Sequence, residues 1–303
     1  MSSSRPPSPV RHDAMLASVI VNGIVVGCIY ALVAVGFTMI YNATETVNFA
    51  VGESLMVGAY LLLTFNKFLG WPYLLALLAT LAIAGLMGFV VFDRLVSRPL
   101  MTAPLLSRVI ALLGLASVMK GTVRLIWGAD AIHMSSPFST KPIVIGPVEI
   151  SQQEIAIVIV TVFVIGVLYL FFQHTKIGMA MRATSQNRRA ASLMGISVTG
   201  VFAAAWVIGT MLSALGGVFL GPLLLVDPDM GSIAFKSFTA VVLGGFGSLP
   251  GAVVGGILLG LVENLAGGYI RTDLQIAATF ILLIAVLAVK PTGLLGKPLA
   301  KRV

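Results

Sequence analysis

The chain is poor in charge. Asp, Glu, Lys and Arg make up 10% of its 303 residues, where a soluble domain keeps about a quarter. That shortage excludes an ordinary soluble fold, because too few ionic groups remain to solvate a surface of this size. Acids are the scarcer sign, with 11 Asp and Glu against 19 Lys and Arg. The three histidines, His12, His133 and His174, are scattered through a tail and two loops. They give no metal-ligand spacing and no catalytic constellation. The one cysteine, Cys28, has no partner for an internal disulfide, and its apolar surroundings fit a small buried hydrophobe. A nucleotide loop is missing as well. The Gly-rich run 244–260 lacks the Lys-Ser/Thr that reaches phosphates, and Gly296-Lys297 is followed by Pro298. No catalytic residue, metal, cofactor or nucleic-acid partner is expected of this chain.

Apolar sequence is what fills the space. Hydrophobic residues reach 58% and the mean hydropathy is +1.04. Met15–Tyr41, Trp71–Phe92, Ile155–Phe172 and Val198–Val226 carry no charged side chain, and Val109–Ile126 carries only Lys120 and Arg124. A crossing helix needs roughly 20 apolar residues. The sequence therefore predicts an all-α polytopic membrane protein of roughly 8–10 transmembrane helices, with broken or re-entrant segments. Residues 1–14 are rich in Pro and Ser and are expected to be a disordered tail rather than a signal peptide, with Met15 as an alternative start. Residues 15–290 form the membrane domain and 291–303 a cytoplasmic tail.

Basic residues set the orientation. Segments 93–108, 173–197 and 290–303 hold 11 of the 19 Lys and Arg, and only the first contains an acid, Asp93. The positive-inside rule places all three in the cytoplasm. Segments 127–154 and 227–233 are acidic on balance and fall outside. The front end admits two readings. If 15–41 and 47–65 both span, the N-terminus lies outside despite Arg5 and Arg11. If 42–65 is re-entrant, it lies inside.

Two polar breaks interrupt the apolar runs, "YNATETVNFAVGES" and "GGFGSLPG". Each follows an apolar helix and precedes a Gly-rich one, so 15–60 and 198–256 share a crude repeat of the kind transporters use. Carboxylates at membrane depth are costly, about 2.5–3.5 kcal/mol on insertion scales, and often functional. Asn42, Thr44, Glu45, Asn48 and Glu53 are candidates for the translocation path, with Gly244, Gly245, Gly247 and Ser248 of the second break. The competing reading is that the first break meets water at an interface. The later glycines favour close helix packing. Glu263 and Asn264 are expected at an interface. Lys120 and Arg124, one turn apart, are expected to snorkel outward. Asp227 and Asp229 read as acidic residues of an outer turn.

The insert "RATSQNRRAASLMGIS" is polar and basic, and lies between two apolar runs. Ala, Leu and Met favour helix and Gly195 stops it. One or two short amphipathic helices at the inner surface are expected. Leu193, Met194 and Ile196 form an apolar knob flanked by Arg182, Arg188 and Arg189. A basic loop touching lipid headgroups explains the charges. It does not explain the spacing Arg189-Ala190-Ala191, three residues, Gly195.

That spacing resembles the cytoplasmic coupling loop of ABC importer permeases, whose signature is Glu-Ala-Ala, three residues, Gly. Arg189 stands where the signature has Glu, a departure common among the permeases for branched-chain amino acids. "YALVAVGFTMIYNATETVNFAVGESLMVGAY" (30–60), "FKSFTAVVLGGFGSLPGAVVGGILLGLVENL" (235–265) and "VKPTGLLGKP" (289–298) resemble further blocks of that branch. The resemblance covers nearly the whole chain after residue 15. It implies an ABC importer permease fold in a bacterial inner membrane. It also implies a second permease subunit, two cytoplasmic ATPases that use the ATP and dock on Arg182, Arg188–Ala191 and Leu193–Ile196, and a periplasmic binding protein that delivers the ligand. Permeases for urea or short amides are similar and form the alternative. An ATP-independent secondary transporter is disfavoured by the sparse acids, and no residue set supports an intramembrane enzyme.

Overall fold

The computed structural model describes residues 9–138, 143–145 and 148–296. It is built from eleven α-helices: α1 Pro9–Thr44, α2 Val51–Leu63, α3 Tyr73–Met87, α4 Leu105–Trp127, α5 Gln152–His174, α6 Lys176–Gln186, α7 Arg188–Leu193, α8 Val198–Leu220, α9 Ile233–Gly244, α10 Leu249–Tyr269 and α11 Gln275–Val289. Two π-helical stretches, Thr64–Phe68 and Gly88–Ser97, prolong α2 and α3. A small antiparallel hairpin, Ile143–Ile145 with Val148–Ile150, precedes α5.

Among the described residues, six segments are long and apolar enough to cross a membrane: Met15–Thr44, Tyr73–Ser97, Leu105–Trp127, Gln152–His174, Val198–Leu220 and Leu249–Tyr269. The apolar helices α2, α9 and α11 are shorter. The expected multi-pass, all-helical membrane fold is therefore present. α1 begins at Pro9, so residues 9–14, expected in the tail, are its first turns. Residues 1–8 and 297–303 of the two tails lie outside the described residues.

Burial separates centre from rim. In the apolar windows of α1 and α8, 67% and 78% of residues are buried, against 11% in α5. α5 instead turns Val162, Phe163 and Tyr169 outward, as a lipid-facing helix does. α1 runs antiparallel to its two main neighbours. Gly36 faces Gly209 and Val33 faces Gly216 of α8; Gly27 faces Ile257 and Ala31 faces Gly256 of α10. α2 runs alongside α4 in the same direction. Arg108 meets Thr46 at one end, and Trp127 donates to Thr64 at 2.8 Å at the other. On the orientation set by the basic loops, α1 starts outside and α2 returns there. α2 continues towards the outer side through the π-helical stretch Thr64–Phe68.

The crude repeat holds only in part. The first unit has one break, residues 45–50, whereas the second has two, at 221–232 and 245–248. The extra break arises because α9 is only 12 residues long.

Small residues let α1 and α10 touch through their backbones, the route to helix association in lipid. A Cβ on Gly27 would stand 2.7 Å from the Ile257 Cα and 3.1 Å from the Gly256 carbonyl, so neither helix can yield without moving backbone. Gly114 on α4 has open space instead. Gly27→Val should destabilise the fold by about 1–3 kcal/mol, the usual cost of overpacking. Thermal unfolding in detergent should show it as a clear drop in midpoint. Gly114→Ala should leave the midpoint unchanged or slightly raised.

Candidate functional site

Three side-chain caps cut the basic insert into pieces. Thr175 accepts from the Gly178 amide at 3.0 Å and starts α6, Asn187 accepts from Ala190 at 3.0 Å and starts α7, and Ser197 accepts from Gly200 at 3.2 Å and starts α8. Each satisfies an amide that the first helical turn leaves without a partner. Gly195 ends α7 at φ +81°, a left-handed conformation that glycine reaches without penalty. The tip of α7 leaves Leu193 and Met194 each 83% exposed, beside exposed Arg189 and Ala190.

Other insert residues expected at the tip are placed elsewhere. Ala191 is buried, and Ile196 is half-buried against the core rather than part of the knob. Arg182 donates to Gln173 at 3.1 Å. Arg188 does not flank the tip either. It donates to the Ala43 carbonyl at 3.0 Å, lies 3.8 Å from the Glu45 carboxylate and stacks over the Phe202 ring at 5.1 Å. The insert is thus fastened to the end of α1.

That end is the first break. Glu45 adopts φ +52°, which an L-residue rarely holds, and stops α1 with its carboxylate largely exposed. Asn42 donates to the Gly247 carbonyl at 2.9 Å and so ties the first break to the second. Thr44 is buried and bonds back to Ile40, while Asn48 is buried and accepts from the Ala50 amide at 3.0 Å. In the second break Gly245 and Gly247 have φ +111° and +83°, and Ser248 caps α10 through the Gly251 amide. The carbonyls freed there are satisfied by protein. Leu243 and Gly244 accept from the amides of Leu294 and Leu295 in the C-terminal turn. Aromatic rings fill the space between the breaks: Phe246 lies edge-on to Tyr41 at 4.6 Å and to Phe238 at 5.9 Å, and Phe238 meets Phe49 at 6.1 Å. Beside them a cavity of about 170 Å³ opens between Thr44, Thr46, Arg108, Arg188 and Phe202.

Glu53 is not part of this arrangement. It sits further along α2, facing Gly231. The candidate path residues therefore divide into an inner group at the two breaks and Glu53 alone towards the outer loop.

Residues 19–288 match the family model described as the permease component of branched-chain amino acid transport systems. The chain is 35% identical to the high-affinity branched-chain amino acid transport system permease protein LivH of Escherichia coli, over 93% of this chain and 96% of that protein. It is 34% identical to the corresponding protein BraD of Pseudomonas aeruginosa, over 94% and 97%. A probable LivH of Methanocaldococcus jannaschii is 29% identical over 88% of both. The chain belongs to this permease family.

Several charged residues of this family member differ in setting from the sequence expectation. Glu263, expected at an interface, is buried within the protein. It is 5% exposed, pairs with Lys236 of α9 and accepts from the Tyr30 hydroxyl of α1 at 2.8 Å. Lys120 and Arg124 do not simply snorkel: both meet Asp229 of the outer turn. The bond from Lys120 holds the Asp229 carboxyl below the usual carboxylate range. Asp93, counted as a loop acid, is fully buried and ion-paired to Arg98 at 2.7 Å. The one signal for the Glu263–Lys236 pair was opposite charge in two apolar helices. Unpaired, each is expensive in a bilayer.

Two outcomes follow for the permease. Lys236→Met strands a buried carboxylate and should cost about 3–5 kcal/mol, while adding Glu263→Gln should recover much of it. A double-mutant cycle on thermal unfolding measures the difference. Arg188→Ala removes the fastening of the insert. It should speed trypsin cleavage at Arg182 and Arg189 severalfold without lowering the unfolding midpoint by more than a few degrees; unchanged cleavage would contradict the anchoring role.

Proposed function

We propose that this chain is the transmembrane permease subunit of an ATP-driven importer of branched-chain amino acids. It forms the translocation path together with a second, different permease subunit. Two cytoplasmic ATPases dock on α7 and hydrolyse the ATP, and a periplasmic binding protein delivers the ligand. The substrate class comes from the three relatives named above, which match this chain over most of its length and are each, by name, a permease of a branched-chain amino acid system.

One observation carries the docking assignment: the exposed apolar tip of α7. Leu193 and Met194 lie on the cytoplasmic insert rather than on a lipid-facing span, yet both are 83% exposed. An apolar helix end beside the exposed Arg189 and Ala190 suits insertion into a groove on a partner. The Arg188 contacts then make the docking element continuous with the end of α1.

The test is co-purification from detergent-solubilised membranes expressing the full set of subunits. The wild-type chain should retain the ATPases and support leucine uptake. Leu193→Asp with Met194→Asp should release the ATPases and lower uptake at least tenfold, while the variant still inserts. Retained ATPases with normal uptake would reject the docking role. Import of urea or acetamide in place of leucine, isoleucine and valine would reject the substrate class alone.

A further inference from the structure

A second cavity, of about 310 Å³, lies towards the outer side between α2, α4 and the start of α9. Its lining carries opposite charges on facing elements. Glu53 of α2 contributes a carboxylate whose Oε2 is buried with no hydrogen-bond partner among the described residues. Lys120 of α4 contributes an ammonium that, among the described residues, is ion-paired to Asp229 of the outer turn. Leu113 and Lys120 are seven residues apart and share one face of α4. Leu113, with Phe49 and Phe235, gives the cavity an apolar wall. A buried polar atom without a partner needs an explanation, and a ligand group is one.

We infer that this cavity is a transit subsite for an amino-acid zwitterion, with Glu53 receiving the ammonium, Lys120 the carboxylate, and Phe49, Leu113 and Phe235 the branched alkyl chain. The inference rests on the importer reading above. Asp229 already touches two cations, Lys120 and, at 3.5 Å, Arg124. When the ligand carboxylate takes Lys120, Asp229 keeps Arg124, so the exchange leaves no charge unpaired. A cavity bearing one group of each sign suits a zwitterion. An uncharged amide such as urea offers neither group a counter-ion.

The complete importer, reconstituted in proteoliposomes with its binding protein and labelled leucine, provides the test. Glu53→Gln and Lys120→Gln should each lower leucine import at least tenfold. ATPase co-purification, and ATP hydrolysis stimulated by the loaded binding protein, should stay within twofold of wild type. Leu113→Trp fills the cavity without touching a charge and should lower import equally. Val118→Trp, on the opposite face of α4, should not. Wild-type import by all three cavity variants would overturn the subsite and leave the importer reading standing. A wild-type complex that imports no branched-chain amino acid would overturn the importer reading, and the subsite with it. Should a charge variant fail to assemble, Leu113→Trp decides, and normal import by it overturns the proposal.

Discussion

The backbone contact between α1 and α10 governs the geometry of the whole permease. Lipid offers no hydrophobic drive for two apolar helices to associate, so their attraction must come from close packing and from polar groups that reach across. Glycine supplies the first. Gly27 lies against Ile257 and Gly256 against Ala31, with no room for a Cβ on either. This closeness places the second. Asn42 reaches the Gly247 carbonyl at the inner end, and Tyr30 reaches Glu263 towards the outer end. A bulkier seam would separate both pairs at once. It would also leave the Gly247 carbonyl of the second break without its Asn42 donor.

Much of this fold was legible in local sequence, because the signals are local. Charge-free runs mark the spans. Gly195, expected to stop the insert helix, ends α7 at a left-handed turn. The two breaks fall where polar and Gly-rich strings interrupt apolar sequence. Partners across the fold were not legible. Tyr30 and Glu263 are 233 residues apart, and Asn42 and Gly247 are 205 apart. Periodicity gives the buried face of a helix but not the helix that covers it. For that reason Glu263 looked interfacial, Lys120 looked free to snorkel, and Arg188 looked like a rim charge of the knob. Ile196 was misplaced for a related cause: the chain has already turned back towards the core at Gly195.

Charges within the membrane domain fall into two kinds. Asp93 with Arg98, and Glu263 with Lys236 and Tyr30, are matched inside the fold. Such pairs are weak contributors to net stability, but either partner alone is a severe liability. They fix which helices meet. Glu53, Lys120 and Asp229 are arranged differently. They border open space, Asp229 is shared between two cations, and Glu53 makes no ion pair among the described residues. An arrangement that already contains an exchangeable contact costs little to rearrange. Fixed pairs and exchangeable ones thus separate scaffold from traffic within a single electrostatic constraint.

The same contacts connect the two ends of the molecule. Arg188, five residues before the apolar tip, is held at the end of α1 by Ala43 and Glu45, and it lies over the Phe202 ring of α8. From Thr44 to Tyr30, α1 is an unbroken helix of about 21 Å at 1.5 Å per residue. Tyr30 is bonded to Glu263, Glu263 pairs with Lys236, and the preceding residue, Phe235, is a wall of the outer cavity. Rigid helices carry displacement, but they cannot by themselves give two states. The breaks can, because their glycines accept new backbone angles where a regular helix cannot. On the importer reading, a pull on α7 moves the end of α1 and the break fastened to it through Asn42 and Gly247. The long lever then delivers that motion beside Glu53 and Lys120. On that reading coupling needs no conduit of its own, since the contacts that hold α1 in place would be the ones that transmit its movement.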